Sequence, residues 1–434
     1  LKKGWLWIAG ALLVTVPGVG AQLAGLHLDK ENPTLAAVLL GVAVVGAAFL
    51  LSWACEVAEK DIPPALALSV LALIAVLPEY AVDFSLTLQA GKDPTYREYA
   101  VANMIGANRM IVGFAWPLII FLFWLRFRKK RVYMDSSQRV EIGFLLLAGL
   151  YSLIIPIKGH IDLYDFVVLV GLFVVYTWRI SKAEVHEPEL IGPAEVLGNL
   201  ATGTRRISVL ALTVYAAAVI FIAAHPFAES LIHTGTALGI DEVFMVQWFA
   251  PLASEAPEIV VTILFTLRGL ASAGLGALVA SKVNQWTLLV GTLPLVFSLG
   301  AGRLQPLPLS EHQIGSMLVT SGQTLLATMI LINLSASLRG AAILFGLLVA
   351  QFFVPVDMSV GDFKFDTHFL FGTIYLAGSL LLAARHPKDF GRTFRAMLNK
   401  PVPEDAEIEA KEEAQTKEAK KMAQGEESSP VRPA

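Results

Sequence analysis

Ala75-Val76-Leu77-Pro78-Glu79-Tyr80-Ala81-Val82-Asp83 sets a proline and a glutamate deep inside an apolar stretch. The same pair returns in Ala253-Ser254-Glu255-Ala256-Pro257-Glu258-Ile259-Val260-Val261-Thr262. After each copy comes a short turn, Gly91-Lys92-Asp93-Pro94 in the first and Arg268-Gly269-Leu270 in the second. A segment rich in small residues then opens, Ala100 to Asn108 in one copy and Gly274 to Lys282 in the other. The chain therefore contains an internal repeat, and a repeat has to be recognised before the fold around it can be read.

The surroundings of the repeat are apolar throughout. Of 434 residues, 55% are hydrophobic and only 16% charged, against about 25% charged in soluble domains. Mean hydropathy is +0.63. Apolar windows long enough to cross a bilayer as helices fall at 5–24, 34–58, 63–90, 97–125, 140–157, 162–180, 206–225, 241–267, 271–300, 314–335, 338–355 and 366–384. The expected class is an all-α integral membrane protein of about twelve transmembrane helices. The first window follows Lys2 and Lys3, is longer than a signal-peptide core and has no A-x-A site, so it is expected to stay as a helix. The repeated Pro-Glu segments lie in the third and eighth windows. Five crossings separate them, an odd number, so the copies are expected to point in opposite directions, and sites in such inverted repeats sit near the midplane.

Lys and Arg concentrate in cytoplasmic loops. Placing Arg126, Arg128, Lys129, Lys130 and Arg131 inside also puts inside Lys2, Lys3, Lys60, Arg179, Arg205, Arg206, Arg268, Arg339, Arg385 and Arg392. Both termini are then cytoplasmic, and the plasma (inner) membrane is the expected location. The organisation reads as a flanking helix in 1–33, a first half of about five helices in 34–180 and a cytoplasmic linker in 181–205. A second half follows in 206–355, a flanking helix in 356–384, and a basic, then mixed-charge tail in 385–434. The tail is rich in Glu, Lys and Ala from Glu404 onward and is expected to be solvated, partly helical at most. His225 and His233 are expected in an external loop.

The chemistry resides in the repeats. Proline removes a backbone donor and frees carbonyls, which at membrane depth are tolerated where they line a polar cavity. A carboxylate at the bilayer centre costs about 2.5–3.5 kcal/mol on insertion scales, so intramembrane acids are functional by default. Glu79 and Glu258 are thus the expected cation ligands, with Pro78 and Pro257 as the helix breaks. Asp83 follows Glu79 by one turn and Glu255 precedes Glu258 by one, so each pair shares a helix face. Two nearby carboxylates resist joint ionisation, which favours proton binding; pairing of the extra acids with Lys282 or Arg109 is the other reading. Asn103 and Asn108 are expected to line the site, and Ser281, Asn284 and Gln285 form a polar stripe. Gln323 and Thr324 read as packing contacts.

With these residues the chain resembles the membrane domain of sodium/calcium exchangers, in the calcium/cation antiporter superfamily, as a divergent prokaryotic-type member. The resemblance spans about residues 34–355. That family's repeats carry a Gly-Thr-Ser-Leu-Pro-Glu type helix followed by a Gly-Asn-x-x-Gly-Ser-Asn type helix. It implies one calcium-ligating acid per repeat, Glu79 and Glu258. Its hydroxyls fall on Ala75 and Val76 in the first repeat and on Ser254 and Glu255 in the second. Its amides fall on Asn103 and Asn108, and on Ala277 and Lys282. Lys282 replaces a neutral amide: its ammonium either takes the space of a bound sodium ion or neutralises the extra acid.

The function expected is secondary antiport of a cation, calcium favoured, against sodium or protons, with Asp83, Glu255 and Lys282 coupling charge. The alternative is a cation channel or ion sensor of the same architecture. Lipid bilayer and small inorganic cations are the expected partners, with no nucleic acid and no cofactor beyond the transported ion. An enzyme is not expected, since nucleophile and metal motifs such as HExxH are absent, and without a Walker A sequence ATP-driven pumping is not expected either. Its single Cys55 precludes an intramolecular disulfide and a thiolate metal cage.

Overall fold

A computed structural model of the chain describes residues 2–26, 32–58, 60–61, 77–181, 190, 192–354, 357–360, 363–398 and 402–424. Helix dominates. In chain order the helices are α1 (Lys2–Leu23), α2 (Pro33–Ala58), α3 (Leu77–Lys92), α4 (Tyr96–Phe127), α5 (Gln138–Lys158) and α6 (Leu163–Ile180). Next come α7 (Pro193–Gly198), α8 (Thr202–Leu238), α9 (Glu242–Leu267) and α10 (Ala271–Ala301). The last are α11 (Glu311–Leu331), α12 (Leu338–Phe353), α13 (Thr367–Arg385), α14 (Pro387–Met397) and α15 (Ala406–Gln424). Among the described residues nine helices are long and apolar enough to cross a membrane, and α9 adds a bent span interrupted at Pro257. α12 is apolar but shorter. The first part of the expected third span, 63–76, which includes Ala75 and Val76, lies outside the described residues, as do residues 182–189 and 191 of the linker.

The chain divides into two compact units, Leu1–Ala107 with Thr177–Pro257 and Thr292–Leu307, and Asn108–Tyr176 with Glu258–Gly291 and Pro308–Ala434. In the first unit α1, α2 and α8 share a core built from Ile8, Ala43, Ala47, Leu50, Leu51, Ala216, Val219 and Ile220. Small residues on α2 let these helices close without a hydrophobic driving force in lipid. α8 extends to Leu238, well past the expected end at 225, because apolar periodicity continues through Pro226. Its 37 residues reach about 55 Å at 1.5 Å per residue, longer than the hydrocarbon core. His225 and His233 therefore sit on helix rather than in a loop; His225 Nδ1 lies 3.0 Å from Ser85 Oγ. Just after α2, Asp61 is clasped by Arg205 at 2.7 and 2.8 Å. That hydrogen-bonded guanidinium pulls its carboxyl from 3.8 to about 2.

In the same unit the repeat helices cross reciprocally, first helix of one copy against second helix of the other. A Cβ added to Gly106 of α4 would lie 1.7 Å from the Gln247 carbonyl oxygen of α9. One added to Gly300 of α10 would lie 2.1 Å from the Leu88 oxygen of α3, and one on Gly91 2.4 Å from the Phe297 oxygen. These contacts are backbone against backbone, so nothing can move aside. Overpacking usually costs about 1–3 kcal/mol and more where the backbone must shift. Gly106→Ala should therefore lower the thermal unfolding midpoint of the purified protein sharply. Gly20→Ala, whose Cβ would meet nothing within 4 Å, should leave it unchanged.

In the second unit α11 packs on α13 and α5, and strand Arg131–Tyr133 pairs antiparallel with Ser335–Ser337. In the tail, residues 406–424 form α15, whose side chains are mostly exposed or half-buried and which is held to the second unit by a few contacts. Its docking is polar, which is why an apolar pattern did not reveal it. Gln415 accepts from the Tyr133 N–H at 3.1 Å and donates to the Arg131 carbonyl at 2.9 Å. Lys129 pairs with Glu418 at 2.9 Å. Before the helix, Asp405 receives a two-pronged contact from fully buried Arg139, 2.7 Å on each arm. Gly269, with φ +88°, lies against the backbone of Ala419 and Lys420, so α15 also covers the α9–α10 turn.

Candidate functional site

α3 is described from Leu77 and carries Pro78 and Glu79 at the start of its described residues. Glu79, Asp83 and Thr87 follow at spacings of four, so they form one polar stripe, and all three are buried. From α4, Asn103 donates its amide N–H to Asp83 Oδ1 at 2.6 Å. The other oxygen, Asp83 Oδ2, and Thr87 Oγ1 have no hydrogen-bond partner among the described residues. A buried carboxylate oxygen and a hydroxyl without partners mark a place where a cation or a proton can be received. Thr87 is absent from the sequence-based set, although its spacing of four from Asp83 places it on the same helix face. On α9 the first unit also holds Ser254 and Glu255, both buried. Ser254 Oγ lies 3.3 Å from the Ala250 and Pro251 carbonyls that precede the break.

The second unit holds the remaining expected residues. Glu258 is half-buried at the start of the second arm of α9, and Ser281 of α10 lies beside its carboxylate. The Pro257 side chain lies outside what is described. Lys282 is fully buried, and its ammonium donates to the Asn108 carbonyl at 2.9 Å and to Asn108 Oδ1 at 2.6 Å. The Trp286 ring, one turn on, lies 4.7 Å from Nζ, a cation–π contact. A lysine thus meets carbonyl oxygens and a ring face, the surroundings of a bound cation. Arg109 goes elsewhere: it donates to Gln351, whose amide N–H in turn donates to Tyr375 Oη at 3.0 Å. The structure therefore joins Asp83 with Asn103 and Lys282 with Asn108 by hydrogen bonds.

Both second helices of the repeat change winding at the same register. α4 turns to π geometry at Ile111–Ala115 and α10 at Gln285–Leu289, each beginning three residues after Asn108 and Lys282 respectively. A π turn shifts the backbone ladder and recurs at functional sites. In α4 it begins three residues after Asn108, whose carbonyl receives the Lys282 ammonium. No residue type in either stretch announces it. The π turns also extend the repeat beyond the Pro-Glu motif, to the geometry of the helices that follow it.

These features agree with what the chain resembles as a whole. The sodium/calcium exchanger protein family matches residues 33–182 and 208–356. The protein is a membrane transporter of the prokaryotic-type calcium/cation exchangers, and the chain belongs to the sodium/calcium exchanger family. It is 40% identical to a protein solved as the H+/Ca2+ exchanger CAX, with a TM-score of 0.85 over 91% of this chain and 98% of that one. The fold is shared more distantly by native YfkE, at 15% identity and TM-score 0.56 over 78% of this chain and 97% of that one. The sodium-calcium exchanger NCX_Mj gives 17%, 0.51, 74% and 98%. No curated protein matches the sequence.

Proposed function

We propose that the protein is a secondary antiporter that exchanges Ca2+ for protons, with Glu79 and Glu258, one from each repeat, as calcium ligands. The observation that carries this reading is the set of acids on apolar helices, Glu79, Asp83, Glu255 and Glu258, in a chain 40% identical to an H+/Ca2+ exchanger. Calcium favours carboxylate and carbonyl oxygens. A carboxylate that binds calcium in one state and a proton in the other couples the two fluxes without further machinery. Asp83 and Glu255 add sites for that exchange, and Asn103, Asn108, Ser254 and Ser281 supply neutral oxygens. On this reading twelve crossings build two inverted halves, with both termini in the cytoplasm of the cell whose inner membrane holds the protein.

Lys282 supports protons over sodium. An ammonium held by Asn108 stands where the family offers an amide, and a fixed positive charge disfavours a second monovalent cation. The test is Ca2+ flux in proteoliposomes under an imposed proton or sodium gradient. Wild type should respond to the proton gradient and ignore sodium. Lys282→Asn should gain sodium dependence, and Lys282→Ala should shift the pH profile of flux. Unchanged ion dependence and pH profile in both variants would make Lys282 a structural counter-charge.

A further inference from the structure

At the surface end of α11 and α13, on helices that carry none of the proposed transport acids, His312, Asp366 and His368 converge. Nitrogen and oxygen atoms of the three lie within 4.8 Å of one another. Asp366 Oδ1 is 2.7 Å from His368 Nδ1, and Asp366 Oδ2 is 3.7 Å from His312 Nδ1. The imidazole rings stand edge to face, 4.7 Å apart at 86°.

Two helix caps and one glycine contact bring them together. Asp366 caps α13 by accepting from the His368 N–H at 2.7 Å. Ser310 and Gln313 close a reciprocal cap at the start of α11, which fixes His312 between them. Gly315 allows the close approach: a Cβ there would lie 3.0 Å from His368 Cβ and 3.2 Å from Asp366 Oδ2. The His312 side chain is 48% exposed, so an ion has a path in from solvent.

We propose that these three residues form a binding site for a divalent transition metal, with Zn2+ the best fit. Zinc bonds of about 2.0–2.1 Å in tetrahedral geometry need donor atoms about 3.3–3.4 Å apart. The two separations to Asp366 bracket that value, so small side-chain rotations complete the site. Two imidazoles and one carboxylate suit zinc; the transported calcium prefers oxygen alone. Three protein ligands leave a fourth position to water. A bound ion ties the start of α11 to the start of α13 and stabilises the folded protein by mass action.

The test uses full-length protein purified in detergent, titrated with Zn2+ by calorimetry and followed by thermal unfolding. Wild type should bind one Zn2+ per chain in excess Ca2+ and unfold at a higher temperature with Zn2+ present. His312→Ala and His312→Gln, at a half-exposed position, should bind at least tenfold more weakly and lose the thermal shift. Glu79→Gln with Glu258→Gln should bind Zn2+ as wild type does, which separates this site from the transport reading. Absence of Zn2+ binding in wild type, wild-type affinity in the His312 variants, or displacement by Ca2+ would each overturn the proposal.

Discussion

Glu79→Gln and Glu258→Gln should each reduce gradient-driven Ca2+ flux to the level of protein-free vesicles while the protein stays folded in the membrane. The amide keeps the shape of the carboxyl and removes its charge. Every 1.4 kcal/mol of lost binding is tenfold in affinity, so losing one charged ligand worth about 3 kcal/mol empties the site about a hundredfold. Exchange also needs the group to release a proton, which an amide cannot do. Size-exclusion profiles and unfolding midpoints close to wild type would show that the loss is chemical. Normal flux from both variants would remove the proposed site. Thr87→Val should be milder, since it removes a hydroxyl from the same stripe and leaves the charges in place.

The second large effect concerns the tail. Asp405→Ala should destabilise the second unit by about 3–5 kcal/mol, the usual consequence of removing one partner from a buried ion pair. The Arg139 side chain is 0% exposed and that of Asp405 5%. Arg139 also donates to the Ile332 carbonyl at 3.0 Å and lies 3.3 Å from Thr393 Oγ1. These neutral oxygens keep the guanidinium in place after Asp405 is gone, still charged and without its counter-ion. Thermal unfolding measures the loss. Glu418→Ala is the control: it breaks the Lys129 pair, whose side chains are 40% and 47% exposed, and exposed pairs contribute about 0–1 kcal/mol. A tail that is merely solvated would show the same small effect in both variants.

Much of the membrane architecture could be read directly. Each apolar window falls on a helix where the chain is described, because in lipid the backbone can satisfy itself only within a helix or a closed barrel. The family was readable from two Pro-Glu segments, since acids in apolar helices have few bland explanations. Other features had no linear signal. The π turns at Ile111–Ala115 and Gln285–Leu289 depend on how two helices pack. The contact of Lys282 with Asn108 joins residues 174 positions apart. α15 docks through side-chain amides and ion pairs, so a hydrophobicity scan passes over it. In the sequence Gly106 is one more small residue, and only the fold sets the Gln247 carbonyl against it. The His312, Asp366 and His368 cluster draws on two helices and a cap, and its spacing in sequence matches no motif.

Coupled exchange is tested most directly by Ca2+ uptake into proteoliposomes carrying the purified full-length protein, with an outward proton gradient imposed or withheld. Uptake should run against the Ca2+ gradient when protons can leave, with acid efflux in step, and no net uptake should occur when both gradients are absent. Ca2+ entering only down its own gradient, at the same rate with or without a counter-ion on the far side, would contradict antiport and identify a channel in an exchanger fold.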